Sequence, residues 1–274
     1  MKKHIVKFAA LAFVTSLILT SCQKDAAVET SDSQISAAQS SSESSNTVED
    51  LNDEAEYRMS PSTAITGCPS VTYAQPQGTF PNTITIDFGT GCTGQNGRQL
   101  SGKIIVDVTG TYFSQGSVRT SHTENLTCDG NSISFTRTVT NMGLNDNGQM
   151  FWTVAVSGSR MRGTDSTTGT WSSNRVRTMI EGQATNEDMQ DDAFEITGTA
   201  TGTCHMGHAF SSTITTPLVK RASCQWIVSG VEQTTVDGRS GVRSLDFGDG
   251  SCDDKGILTT PRGATREITL HRPR

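Results

Sequence analysis

The residues of sharpest chemical character in this 274-residue chain are Cys204-His205-Met206-Gly207-His208, where thiolate, imidazole and thioether stand together as soft ligands that zinc or copper accepts. His205 and His208 are the metal candidates, with His122 or His271 as sources of a third nitrogen. Two imidazoles on a turn do not close a coordination shell, and Cys204 is needed to keep the cysteine count even. The expected reading is therefore no bound metal and no cofactor. Two acidic groups follow: Asp246, Asp249, Asp253 and Asp254 around Cys252, and Glu187, Asp188, Asp191 and Asp192. Calcium takes six to eight oxygens in one place, and neither run has EF-hand spacing, so solvated acidic loops are expected.

Signatures of catalysis are missing. The chain has no Gly-x-Ser-x-Gly elbow, no His-Glu-x-x-His and no phosphate-binding loop of the Gly-x-x-x-x-Gly-Lys-Ser/Thr type. No catalytic residues are assigned. Trp152, Trp171 and Trp226 could form a stacking platform for sugar, but with 33% hydrophobic residues the chain needs its large aromatics for a core. Two function classes result. One is a non-catalytic binding or structural module with a glycan or protein ligand. The other is a hydrolase acting on polysaccharide or peptide, which would show Trp152 or Trp171 exposed beside two carboxylates. The first is the expected class.

The elements that position these residues follow from period-two alternation. Ile84, Ile86 and Phe88 share one parity, as do Ile104, Val106 and Val108, then Ile133, Phe135 and Val139. Trp152-Val154-Val156, Phe194-Ile196, Trp226-Val228 and Ile268-Leu270 continue the series. Such runs are antiparallel strands with one buried and one wet face. Asn147-Gly148, Asp129-Gly130 and Asp237-Gly238 supply the positive φ of tight hairpins. Residues 63–274 are thus expected to form an all-β domain, either sandwich-like or one long twisted meander, stapled by disulfides.

Six cysteines, Cys68, Cys92, Cys128, Cys204, Cys224 and Cys252, form an even set and allow 15 connectivities. An internal echo narrows them. Asp87-Phe88-Gly89-Thr90-Gly91-Cys92 matches Asp246-Phe247-Gly248-Asp249-Gly250-Ser251-Cys252, and each copy follows another cysteine at similar distance, Cys68 and Cys224. The expected bridges are Cys68–Cys92 and Cys224–Cys252, which leaves Cys128 to pair with Cys204.

The start of the chain is of another kind. Lys2, Lys3 and Lys7 precede an apolar run to Leu19, which ends in Leu19-Thr20-Ser21-Cys22. At about 12 residues the run is too short to span a bilayer, which needs roughly 20. The order resembles the lipobox of bacterial lipoproteins, which implies cleavage of a signal over 1–21 and lipid, palmitate included, on Cys22. Gln23 in place of Asp after the cysteine, and Lys24-Asp25 beyond it, resemble sorting signals that imply an outer-membrane anchor facing the cell exterior. Residues 22–62 are Ser-, Ala- and Gln-rich with nine acids against two bases, a composition expected to stay an unstructured tether.

Of the net charge of −6, the three signal lysines and the net −7 of the tether leave the domain near −2. Arg160-Met161-Arg162, Arg175-Val176-Arg177 and Lys220-Arg221 are its densest basic groups, expected to be solvated strand ends, so no nucleic-acid partner is expected. The stretch from Thr79 through Cys92 to Ile104 looks like a phrase in uncharacterised secreted lipoproteins of Gram-negative bacteria. That resemblance implies placement and no activity.

Metabolic labelling with a palmitate analogue should mark the full-length protein in its native envelope, and Cys22→Ser should abolish the label and release the chain from membranes. Labelling that survives the substitution would refute the anchor.

Overall fold

The computed structural model describes residues 68–94, 97–185 and 189–270, together with Val48, Leu51 and Ala55. The signal, Cys22, the rest of the expected tether, Glu187, Asp188 and His271 lie outside the described residues.

The described chain is a succession of strands: β1 (Ser70–Tyr73), β2 (Asn82–Asp87), β3 (Cys92–Thr93), β4 (Gln99–Val108), β5 (Val118–Cys128), β6 (Asn131–Leu144), β7 (Met150–Met161), β8 (Thr168–Glu181), β9 (Ala193–Thr203), β10 (Ala209–Arg221), β11 (Ile227–Val236), β12 (Arg243–Asp249), β13 (Lys255–Thr259) and β14 (Thr265–Thr269). All pair antiparallel in one open sheet. Spatial order follows chain order from β1 to β14, except that β3 pairs with β4 off the main path. Of the two expected architectures, the long meander is the one formed.

Alternation carries across the sheet because the strands keep register. Ile84, Val106, Ser121, Arg137, Val156, Ser173, Ala200, Ser212, Thr234 and Arg243 stand partner to partner from β2 to β12 and are all buried. A face buried over this width has to be covered. A main core gathers residues from β2 to β11, and a smaller one holds Ile196, Leu218, Leu245, Phe247, Leu258, Ile268 and Leu270. The next row, Phe135–Gly158–Trp171–Gly202–Phe210–Val236, alternates ring and gap. A Cβ at Gly158 would lie 2.6 Å from the Trp171 ring and 2.7 Å from the Ser134 carbonyl. Glycine here makes room for an indole.

The sequence echo is a structural echo. Asp87 accepts a hydrogen bond from the Gly89 amide at 2.8 Å, and Asp246 accepts one from Gly248 at 3.0 Å. Phe88 and Phe247 are both buried. Each copy ends a hairpin, β1–β2 or β11–β12, whose open end is closed by Cys68–Cys92 or Cys224–Cys252, spanning 24 and 28 residues. The third expected bridge is not formed. Cys128 and Cys204 are not joined in a disulfide, and both are buried in the main core. They end β5 and follow β9, with β6, β7 and β8 between them in the sheet, and they serve as small apolar side chains.

Val48, Leu51 and Ala55 depart from the expectation of a bare tether. All three are helical, and their spacing of three and four places them on one helix face. That face is buried in the main core.

Gly158→Ala should cost about 2–3 kcal/mol in urea denaturation, because a backbone carbonyl and a fixed indole both block the added methyl. A loss below about 0.5 kcal/mol would mean that the row is loosely packed.

Candidate functional site

The structure scatters the residues singled out for chemistry. Trp152 is fully buried, stacked on Tyr112 at 4.9 Å, with edge contacts to Phe113 and Phe194 and its Nε1 donating to the Tyr112 carbonyl at 3.3 Å. Trp171 is buried between the two glycines, and Trp226 packs half-buried on the smaller core. Neither Trp152 nor Trp171 offers a face to sugar.

The acids serve the backbone. Asp246, Asp249 and Asp253 each accept from the amide two residues on, at 3.0, 3.1 and 3.0 Å, and Asp191 accepts from Thr185 Oγ1 at 2.6 Å. Hydrogen bonds from the side chain and amide of Ser251 hold the Asp249 carboxyl below its ordinary value. These are turn-forming roles.

Cys204–His208 is a tight turn in which the Cys204 amide donates to the His208 carbonyl and the Gly207 amide to the Cys204 carbonyl. His122 lies on β5. Among the described residues no three His, Cys, Asp or Glu side chains gather as a metal would require. Loss of solvation lowers the His205 pKa, helped by the charges of Arg162 and Arg160 and opposed by Asp165.

Arg175 and Arg177 correct the expectation of solvated basic strand ends. Both sit on the inner face, with Val176 on the outer. Arg175 lies 3.7 Å from Glu232, both nearly buried, and Ser212 Oγ donates to the same carboxylate at 2.7 Å. The Arg177 guanidinium lies 3.6 Å over the Phe194 ring. Lys220 donates to the Cys224 carbonyl and Arg221 pairs with Glu181 at 2.7 Å.

What the sheet does assemble is its outer face. His122, Thr136, Ser157, Ser172, Thr201, Ser211 and Thr235 stand in one transverse row over β5–β11. Beside it run Thr120, Thr138, Ala155, Asn174, Thr199, Thr213, Gln233, Ser244, Thr259 and Thr265, over β5–β14. Rows of this kind are about 7 Å apart along the strands, with about 4.8 Å between strands. Thr170 with Thr203, and Ser211 with Thr235, hydrogen-bond across strands at 2.8 Å, which fixes these hydroxyls in place. On β6, β7 and β8 the outward positions from Ser132 to Leu144, Phe151 to Met161 and Thr170 to Thr178 carry no charge. Sequence reasoning followed the apolar parity and passed over the opposite one, where Ser132, Ser134, Thr136, Thr138 and Thr140 were the signal.

No protein-family model matches this chain, and no curated protein or solved structure was found to match it.

The depressed His205 pKa sets a pH dependence. The unfolded chain takes up this proton near pH 6.5 and the folded chain only at lower pH, so stability is lost as pH falls below about 6.5. Urea midpoints between pH 7.5 and 5.5 should fall less in His205→Gln than in the parent. Equal slopes would remove His205 as the cause.

Proposed function

We propose that this chain is a non-catalytic binding or structural module of the bacterial envelope. It is held at the outer membrane by lipid on Cys22, faces the cell exterior, and meets a hydroxyl-rich polymer, a glycan, through the outer face of its sheet. The observation that carries this reading is the continuous hydroxyl and amide face across β5–β11. Serine and threonine hydroxyls, with Asn174 and Gln233, both donate and accept, as sugar hydroxyls do, and rows at a fixed spacing suit a polymer that repeats. Lack of charge on β6–β8 disfavours polyelectrolytes there. The burial of Trp152 and Trp171 withdraws support from a polysaccharide or peptide hydrolase, the alternative class, since the aromatic groove that class calls for is not built from them.

The full-length protein in detergent should co-sediment with at least one insoluble polysaccharide among peptidoglycan, cellulose and chitin, releasing no soluble sugar. The combined variant Thr136→Glu, Thr201→Glu, whose charges stand on strands that are not neighbours, should retain its melting temperature and lose at least about tenfold in retention, since burying an unpaired charge at the contact costs more than 1.4 kcal/mol. Retention by none of the polymers, or equal retention of the variant, would reject the reading. Steady release of reducing ends would favour the hydrolase.

A further inference from the structure

Among the described residues, one charge on the inner face is left unanswered by the fold. Arg243, the first residue of β12, is 1% exposed, yet its Nε, Nη1 and Nη2 have no hydrogen-bond partner. A guanidinium carries five donors and stays charged at any physiological pH, so burial without partners costs several kcal/mol. The carboxylate nearest in register does not relieve it. Glu232 lies diagonally across the β11–β12 pair, opposite Leu245, and is occupied by Ser212 and Arg175. Asp237, in the β11–β12 turn, is exposed and accepts from the Gly238 amide.

Arg239, half-buried in the same turn, lies near enough that its positive charge adds to desolvation in lowering the Arg243 pKa. Two like charges are thus held together with no carboxylate between them. Gly241 is pressed against Pro261, so the β11–β12 turn meets the β13–β14 turn. Opposite Arg243 in register, buried Thr234 places a hydroxyl on the same face.

We propose that Arg243 and Arg239 form an anion-binding site at the β11–β12 turn that takes one oxyanion group, a carboxylate, phosphate or sulfate. The planar guanidinium of Arg243 receives two of its oxygens side by side, the geometry in which such pairs are strongest, and Arg239 neutralises the remaining charge. The guest completes the hydrogen bonding of the inner face at its C-terminal end. The site stands apart from the outer face and does not depend on the reading of that face.

Thermal melting of the full-length protein in detergent at pH 7 tests this, with inorganic phosphate, sulfate, acetate or glucuronate replacing chloride at constant ionic strength. At least one oxyanion should raise the melting temperature by about 5 °C at saturation. Response to an inorganic ion points to a free anion, and response to glucuronate without acetate points to an anionic sugar; either supports the site. Arg243→Met should abolish the shift while melting in chloride no lower than the parent, because an apolar side chain suits a buried, unpaired position. Arg239→Ala, at a half-exposed turn position, should weaken the response about tenfold and serves if Arg243→Met does not fold. The proposal is overturned if no oxyanion exceeds chloride, if Arg243→Met responds like the parent, or if Arg239→Ala leaves the response unchanged.

Discussion

The whole molecule rests on strand register. Side chains alternate with a period of two, so a slip of one residue at any strand pair would turn the hydroxyl rows inward and the core outward. One wide departure from regularity respects this. From Thr213 to Leu218 β10 advances five positions where β9 advances three from Thr199 to Ile196, and the odd-numbered excursions return both strands to the same parity. Pro217, which has no amide to give to a ladder, falls inside that bulge. Gly230 lies against the Pro217 carbonyl, where a side chain would not fit.

A chain with so few hydrophobic residues covers its inner face by other means. Arginine stems contribute apolar length, with Arg177 laid on Phe194 and Arg119 5.3 Å over Tyr112. Aromatic rings fill the spaces left by Gly158 and Gly202. Ser212, Glu232 and Arg175 answer one another as a buried set. Against that background Arg243 stands out, since Ser212, Glu232 and Arg175 on the same face are engaged and its own donors are not. The two disulfides act at the hairpins rather than across the sheet, each limiting the unfolded freedom of about 25 residues, an effect of roughly 3 kcal/mol in the chain-entropy view.

Most of the fold was legible because alternation and turn chemistry are local. The strands around Ile84, Val106, Phe135 and Val154 stand where parity puts them, and the paired Asp-Phe-Gly motifs located both bridges. What the sequence hid depends on neighbours far along the chain. Arg175-Val176-Arg177 suggests outward arginines, but Glu232 and Phe194, tens of residues away, draw them in. Arg137 sits at the gap in the series Ile133, Phe135, Val139, a position whose parity already argued for burial. Even numbering of cysteines suggested a third bridge, whereas sheet order, which spacing does not reveal, sets Cys128 and Cys204 with three strands between them. Val48, Leu51 and Ala55 were masked by the serines and acids around them, although three small-to-medium apolar residues at helical spacing are enough to make a face.

The covalent clamps are placed unevenly. Cys68–Cys92 seals the very first hairpin, so the N-terminal margin of the sheet is fastened at its hem, while Cys224–Cys252 closes β11–β12 and leaves β13 and β14 outside any crosslink. Those two strands contribute to the smaller core alone. A chain under tension from its C-terminal side would therefore peel off β14 and then β13 before reaching a covalent stop, baring the backbone of β12 to a visiting strand and, at the same moment, opening a way to the guanidinium of Arg243.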